Sequence, residues 1–227
     1  MAETVTFSIY PEGDSVSLTL FMRAIQDIQR LVIEVDYAVT RRKGERPWVI
    51  ERLHSSIPTV TIRPLLYGLE SVDALLDGIG VIVAGVDAPP PHFTEDALDD
   101  LKRMRRLFRG RNKASRIEFS GNGGKPLSIT NDIDKKVDQI LVGGNWNLGS
   151  IEGMLEAVNL HGNPTFTIWD RLTKSPIRCY FPQEVAWKQR VKNLLETMVL
   201  VSGRLNYFRN GMPRSVTQIT DIEPRIR

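Results

Sequence analysis

The sequence predicts an α+β protein in two parts: an N-terminal α+β domain over residues 1–145 and a C-terminal five-stranded β-barrel over residues 146–227. Three observations lead there. Short stretches of alternating apolar residues mix with apolar residues at three- and four-residue steps in the first part. The last third runs strand, strand, strand, helix, strand, strand. Between the two lies Gly143-Gly144-Asn145, a break in both patterns.

The first strand is expected over residues 4–10, where Val5, Phe7 and Ile9 alternate. The period then changes. Leu18, Phe21, Met22, Ile25, Ile28, Val32, Val35 and Val39 recur at helical spacing, so residues 15–40 read as one long amphipathic helix capped by Asp14 or Ser15. Such a stripe covers a sheet; a partner-binding helix is the alternative. The basic cluster of residues 41–47 is a polar turn. Residues 48–53 and 59–62 read as two strands, and residues 69–83 as a helix weakened by Gly78 and Gly80.

Ala88-Pro-Pro-Pro-His-Phe93 breaks the pattern. Thr94 is placed as the N-cap of the next helix, with Glu95 and Asp96 in its first turn, where acids suit the helix dipole. That helix ends in the basic stretch of residues 102–113, which either complements the dipole or offers a phosphate patch. Residues 116–119 and 126–129 bracket a Gly121-Asn-Gly-Gly124 hairpin turn, and Asn131 caps a helix running through Leu141. The N-terminal part thus holds a few antiparallel strands and three to four helices.

In the C-terminal part the first barrel strand is expected over residues 150–159. Gly149 and Gly153 sit where a long strand must coil sharply. A turn at His161-Gly-Asn-Pro164 leads to strands at 165–169 and 177–181. Residues 184–195 read as a helix with Val185, Val191, Leu194 and Leu195 apolar and Lys188, Arg190 and Lys192 on its polar side. Residues 199–207 and 215–222 close the barrel around a turn at 209–213.

This order, with the punctuation Gly203-Arg-Leu-Asn-Tyr207 and Gly211-Met-Pro213, resembles the OB-fold superfamily over residues 148–224. The first 145 residues carry no such resemblance. Many OB domains bind single-stranded nucleic acid, and others bind proteins or sugars, so the resemblance implies a binding barrel without choosing the ligand.

Strand phase names a face. Phe166, Ile168, Ile177, Cys179, Phe181, Val199, Val201, Leu205 and Tyr207 should point inward. Thr167, Trp169, Arg178, Tyr180, Arg204, Asn206 and Phe208 then point outward. Trp169, Tyr180 and Phe208 would stack on bases, and Arg171, Lys174, Arg178, Arg204 and Arg209 would contact phosphates. Trp169 and Tyr180 packed against protein, within the chain or in a partner, is the competing reading.

Charge leans the same way. The chain of 227 residues carries 30 Lys and Arg against 27 Asp and Glu, and the excess is local: residues 146–227 hold eleven basic against seven acidic residues. Hydrophobic residues at 41% suffice for a packed core. The first residues lack the basic start and apolar run of a signal peptide, and the most apolar stretch, residues 78–86, is shorter than the roughly 20 residues that span a bilayer. The expectation is a cytoplasmic protein with no membrane partner.

Catalytic chemistry is not expected, nor any cofactor or metal. The lone Cys179 alternates with apolar residues and reads as a core hydrophobe. His54, His92 and His161 fall in separate turns. The Gly121–Lys125 run lacks Walker spacing, and Ser150 stands where the second glycine-rich run would need lysine. Asn131-Asp-Ile-Asp134 lacks the glycine and final glutamate of a calcium loop. The reading is therefore a non-enzymatic protein that binds single-stranded DNA or RNA. The alternative is an adaptor subunit of a larger assembly, of the kind a mobile-element, toxin–antitoxin or defence locus carries, with a protein or a second copy as partner.

Overall fold

In a computed structural model the described residues are 3–41, 48–54, 57–65, 69–86, 88–121, 124–141, 144–160, 162–208 and 210–225. The fold is α+β and divides into two compact units, Met1–Ile140 and Leu141–Arg227. The turn expected at 41–47, the tip of the Gly121 hairpin, His161 and Arg209 lie wholly or partly outside the described residues.

The first unit is an antiparallel sheet with helices. Its strands are β1 (Val5–Pro11), β2 (Trp48–His54), β3 (Thr59–Pro64), β4 (Ala114–Ser120) and β5 (Leu127–Ile129), in the order β2-β3-β1-β4-β5. The central position of β1 explains its sequence: Val5, Phe7 and Ile9 are all buried, and Phe7 meets Phe119 of β4 with ring centroids 6.2 Å apart. The helices are α1 (Leu18–Thr40), α2 (Leu69–Val83), α3 (Glu95–Arg103) and α4 (Ile133–Leu141).

Helix α1 starts later than its apolar stripe suggests. Ser17, not Asp14 or Ser15, caps it, accepting from the Leu20 N–H at 3.2 Å. Leu18 and Met22 are exposed, and the buried stripe runs through Leu20, Ala24, Ile28, Leu31, Val32 and Val35. Two carboxylates are buried in α1. Asp27 pairs with Arg106, and Asp36 accepts from the Ser71 hydroxyl of α2 at 2.6 Å. Each buried acid thus has the partner that burial demands.

Gly78 has a reason that helix propensity hides. A Cβ there would stand 1.9 Å from the Phe93 ring, so the glycine in α2 makes room for an aromatic that seals the helix layer. Thr94 caps α3, accepting from the Ala97 N–H at 3.2 Å. The basic stretch that follows is largely neutralised. Lys102 pairs with Asp138, Arg103 with Asp100, Arg105 with Asp134, Arg106 with Asp27 and Lys113 with Glu12. Five of its seven basic side chains thus meet an acid within the unit, while Arg109 and Arg111 are exposed.

The second unit is a closed barrel of β6 (Trp146–Asn159), β7 (Thr165–Asp170), β8 (Pro176–Tyr180), β9 (Met198–Tyr207) and β10 (Pro213–Pro224). Helix α5 (Val185–Asn193) lies between the third and fourth of these strands. The strand order is β10-β8-β7-β6-β9, with β9 returning to β10. All pairs are antiparallel except β8 with β10. This connectivity is OB-like.

The interior follows the expected phase: Phe166, Ile168, Ile177, Cys179, Phe181, Val199, Val201 and Leu205 join Ile151, Leu155, Val216 and Ile222 in one core. Helix α5 ends at Asn193, two residues before the expected Leu195. Val191 is buried and Trp187 packs against the core, while Val185 is exposed. Cys179 has no exposed surface, and burial pushes its thiol well above the usual value. It should therefore resist an aromatic disulfide reagent in the native protein and react at once in denaturant. Rapid native labelling would remove Cys179 from the core.

Candidate nucleic-acid interface

The residues expected to bind a strand of nucleic acid meet different fates. Trp169 keeps its outward phase, next to interior Ile168, and is not part of the barrel core, yet it is only 3% exposed. Phe208 follows the end of β9 and is 6% exposed. Neither ring offers an open face to a base. Arg178 and Tyr180 are half-buried and already hold interaction partners. Arg209 lies outside the described residues.

The β7–β8 hairpin presents the other expected cations. Asp170 is buried and its carboxylate accepts from the Thr173 N–H at 2.7 Å and the Thr173 hydroxyl at 2.6 Å. This Asx-type turn fixes the loop, with Lys174 in the left-handed region at φ 54°. Lys174 is exposed. Arg171 is exposed too, but it pairs with Glu152 at 3.0 Å. On α5, Arg190 pairs with Asp221 at 2.6 Å. The Ile222 N–H, and then Arg190, hold the Asp221 carboxyl below the usual carboxylate range.

The open aromatic surface lies elsewhere, on the outer wall of β6 and β9. Their register places Trp146 opposite Asn206, Leu148 opposite Arg204 and Ser150 opposite Ser202. Even-numbered residues of β9 and of β6 up to Met154 face outward, because Val199, Val201, Leu205, Ile151 and Leu155 fill the interior. Trp146 is 55% exposed, and the Arg204 guanidinium carbon sits 4.1 Å from its ring centroid. This is cation–π range. Among the described residues Arg204 has no acidic partner, and its buried Nε has no acceptor. Ser150 and Ser202 share a hydrogen bond at 2.8 Å.

The same wall continues onto β10. The Asn206 amide donates to the Thr217 hydroxyl at 3.1 Å, and Ser215 stands opposite both Asn206 of β9 and Arg178 of β8. Trp146, Asn206, Ser215 and Arg178 thus form one row across four neighbouring strands, spanning about 14 Å at the usual strand spacing; Trp146 is its exposed end, Asn206 and Arg178 are half-buried and Ser215 is buried. Tyr180 and Thr217 line a cleft of about 430 Å³ together with residues 163–164 and 181–183. Of the expected set, the fold brings Arg178, Tyr180 and Arg204 onto one wall through β10 and leaves Arg171 and Lys174 at the hairpin.

Trp146 is the residue that sequence reasoning missed. A strand expected to begin at Ser150 leaves Trp146 outside its alternation. Trp146, Leu148 and Ser150 carry the same two-residue period four residues further upstream.

Among the described residues no three His, Cys, Asp or Glu side chains group as a metal would need. No helix among them is long and apolar enough to cross a membrane. Set against family models, characterised proteins and solved structures, the chain matches none of them.

Proposed function

We propose that the barrel binds single-stranded DNA or RNA along the outer wall of β6, β9 and β10. The observation that carries this reading is the exposed Trp146 ring stacked with an Arg204 that has no acidic partner among the described residues. An indole offers any base a stacking surface, and a guanidinium held beside it offers charge to the phosphate. Asn206, beside Trp146, and Thr217, beside Arg204, add polar groups on the same wall. The OB-like connectivity supports the reading at the level of fold, and the basic excess of the barrel supports it at the level of charge.

Fluorescence anisotropy with short labelled homopolymers, titrated over a salt series, tests it. Binding should weaken linearly on a log–log plot of affinity against salt. Arg204→Ala should lower affinity and reduce the slope by about 0.7, one phosphate contact to a single strand. Absence of binding at low salt, or a slope that Arg204→Ala leaves unchanged, would end this assignment.

A further inference from the structure

Among the described residues the first part of β6 has a strand neighbour on one side only. Residues 146–154 pair with β9, whereas the pairing with β7 begins at Gly153. The direction of each backbone group follows from the bonds at either end. The Tyr207 N–H donates to the Asn145 carbonyl and the Leu155 N–H to the Thr197 carbonyl, so odd-numbered residues of β6 exchange bonds with β9. The Arg171 N–H donates to the Glu152 carbonyl at 2.9 Å, so even-numbered residues face the other way. Trp146, Leu148 and Ser150 therefore aim three N–H and three C=O groups off the edge. Among the described residues none of these has a backbone partner.

Natural sheets blunt such edges with lysine, proline, bulges or inward charges. The edges of the other sheet do so: β2 carries exposed Glu51 and Arg52, and β5 is only three residues long. The open part of β6 has no such guard. Asn145-Trp-Asn-Leu-Gly-Ser-Ile151 contains no charge and no proline, and Leu148 is 69% exposed beside Trp146.

We propose that this edge pairs antiparallel with the same edge of a second copy, about a two-fold axis through Leu148. The occupant follows from parity and charge. A two-fold at Leu148 sets Leu148 opposite Leu148 and Trp146 opposite Ser150. Every outward residue then meets an outward residue, and the three donors and three acceptors of each copy are satisfied in six hydrogen bonds. No like charges face each other. The two leucines form an apolar contact with a Trp146 diagonal to each. The Arg171 N–H on Glu152 closes the edge, so the window is the five residues 146–150. Such an interface is isologous and closes on itself. Directly opposite residues share a sheet face, so the stacked Trp146 and Arg204 pairs of both copies lie on one continuous face. The pairing stands independently of the nucleic-acid reading.

Light scattering and sedimentation equilibrium of the full chain, without nucleic acid, test it. The expected result is a reversible dimer. Leu148→Pro removes one outward N–H and leaves the β9 ladder intact, since that ladder uses the odd-numbered residues. Leu148→Lys sets two ammonium groups opposite each other. Each variant should raise the dimer Kd about tenfold or more with an unchanged circular dichroism spectrum. A chain that stays monomeric at all concentrations overturns the proposal, and leaves a strand of a different protein as the occupant of the edge. So does a dimer that Leu148→Lys leaves intact, which would then form through another surface. If Leu148→Pro disturbs the fold, Leu148→Lys alone decides. The oligonucleotide titrations are read separately, so failure here and failure there are distinguishable.

Discussion

Gly153→Ala is expected to destabilise the barrel by about 3 kcal/mol, the upper part of the usual range for forcing atoms into a packed interior. Gly153 lies on the coiling stretch of β6, paired with Asp170 of β7. A Cβ built there stands 2.4 Å from the Trp169 carbonyl oxygen and 2.8 Å from its carbon. Both obstacles are backbone, and a hydrogen-bonded strand cannot swing aside as a side-chain tip can. Relief requires separating β6 from β7, which breaks the ladder and opens the core around Ile168. Gly149→Ala is the matched control. Its Cβ would meet the Leu205 Cδ1 at 3.2 Å, the movable end of a side chain. Calorimetry should show a large fall in the barrel transition for Gly153→Ala and a small one for Gly149→Ala. Equal effects would mean that glycine is needed at both for strand flexibility rather than for the close approach of two backbones.

Trp146→Ala should weaken binding to single-stranded homopolymers by about tenfold to a hundredfold, the worth of one base–aromatic stack of about 1–3 kcal/mol. The ring is exposed and lies outside the barrel core, so the melting temperature should barely move. Trp169→Ala provides the contrast. Its ring is buried, so its removal should cost stability and leave the affinity of the folded protein nearly unchanged. Titrating the two variants beside each other with the same oligonucleotide separates the walls of the barrel. If Trp169→Ala abolishes binding while Trp146→Ala does not, the ligand uses the β7–β8 wall and Trp169 must become accessible to it.

Much of the fold was legible because its signals are local. Val5, Phe7 and Ile9 announce a strand by alternation alone, and Thr94 followed by Glu95 and Asp96 announces a helix start. The barrel strands, their inward residues and the helix between the third and fourth strands could be read in order. The glycine at 153 pointed to a coiled strand, although only the fold shows which backbone it approaches. Helix α1 shows the limit of periodicity. Leu18 and Met22 fit the stripe by spacing, but the helix is rotated so that Leu20 and Ala24 take the buried side.

The candidate site was only partly legible. Alternation places Trp169 and Tyr180 outside the barrel interior, and they do lie outside it. Whether an outward side chain meets solvent depends on what packs over it, and that comes from residues distant in sequence. For Trp169 the result is burial; for Trp146 it is exposure beside Arg204, a residue 58 positions away in the chain. The basic run after α3 shows the same division. Its charge is plain in the sequence, but its pairing with Asp27, Asp134 and Asp138 needs the fold. The sequence by itself determined the two-part α+β architecture, the barrel order and the inward set, because alternation, helical period and capping act over a few residues. Only the tertiary structure decided which aromatic ring stays open, which arginines meet an acidic partner and where a strand edge is left unpaired. Those are set by contacts between segments whose separation along the chain carries no local signal.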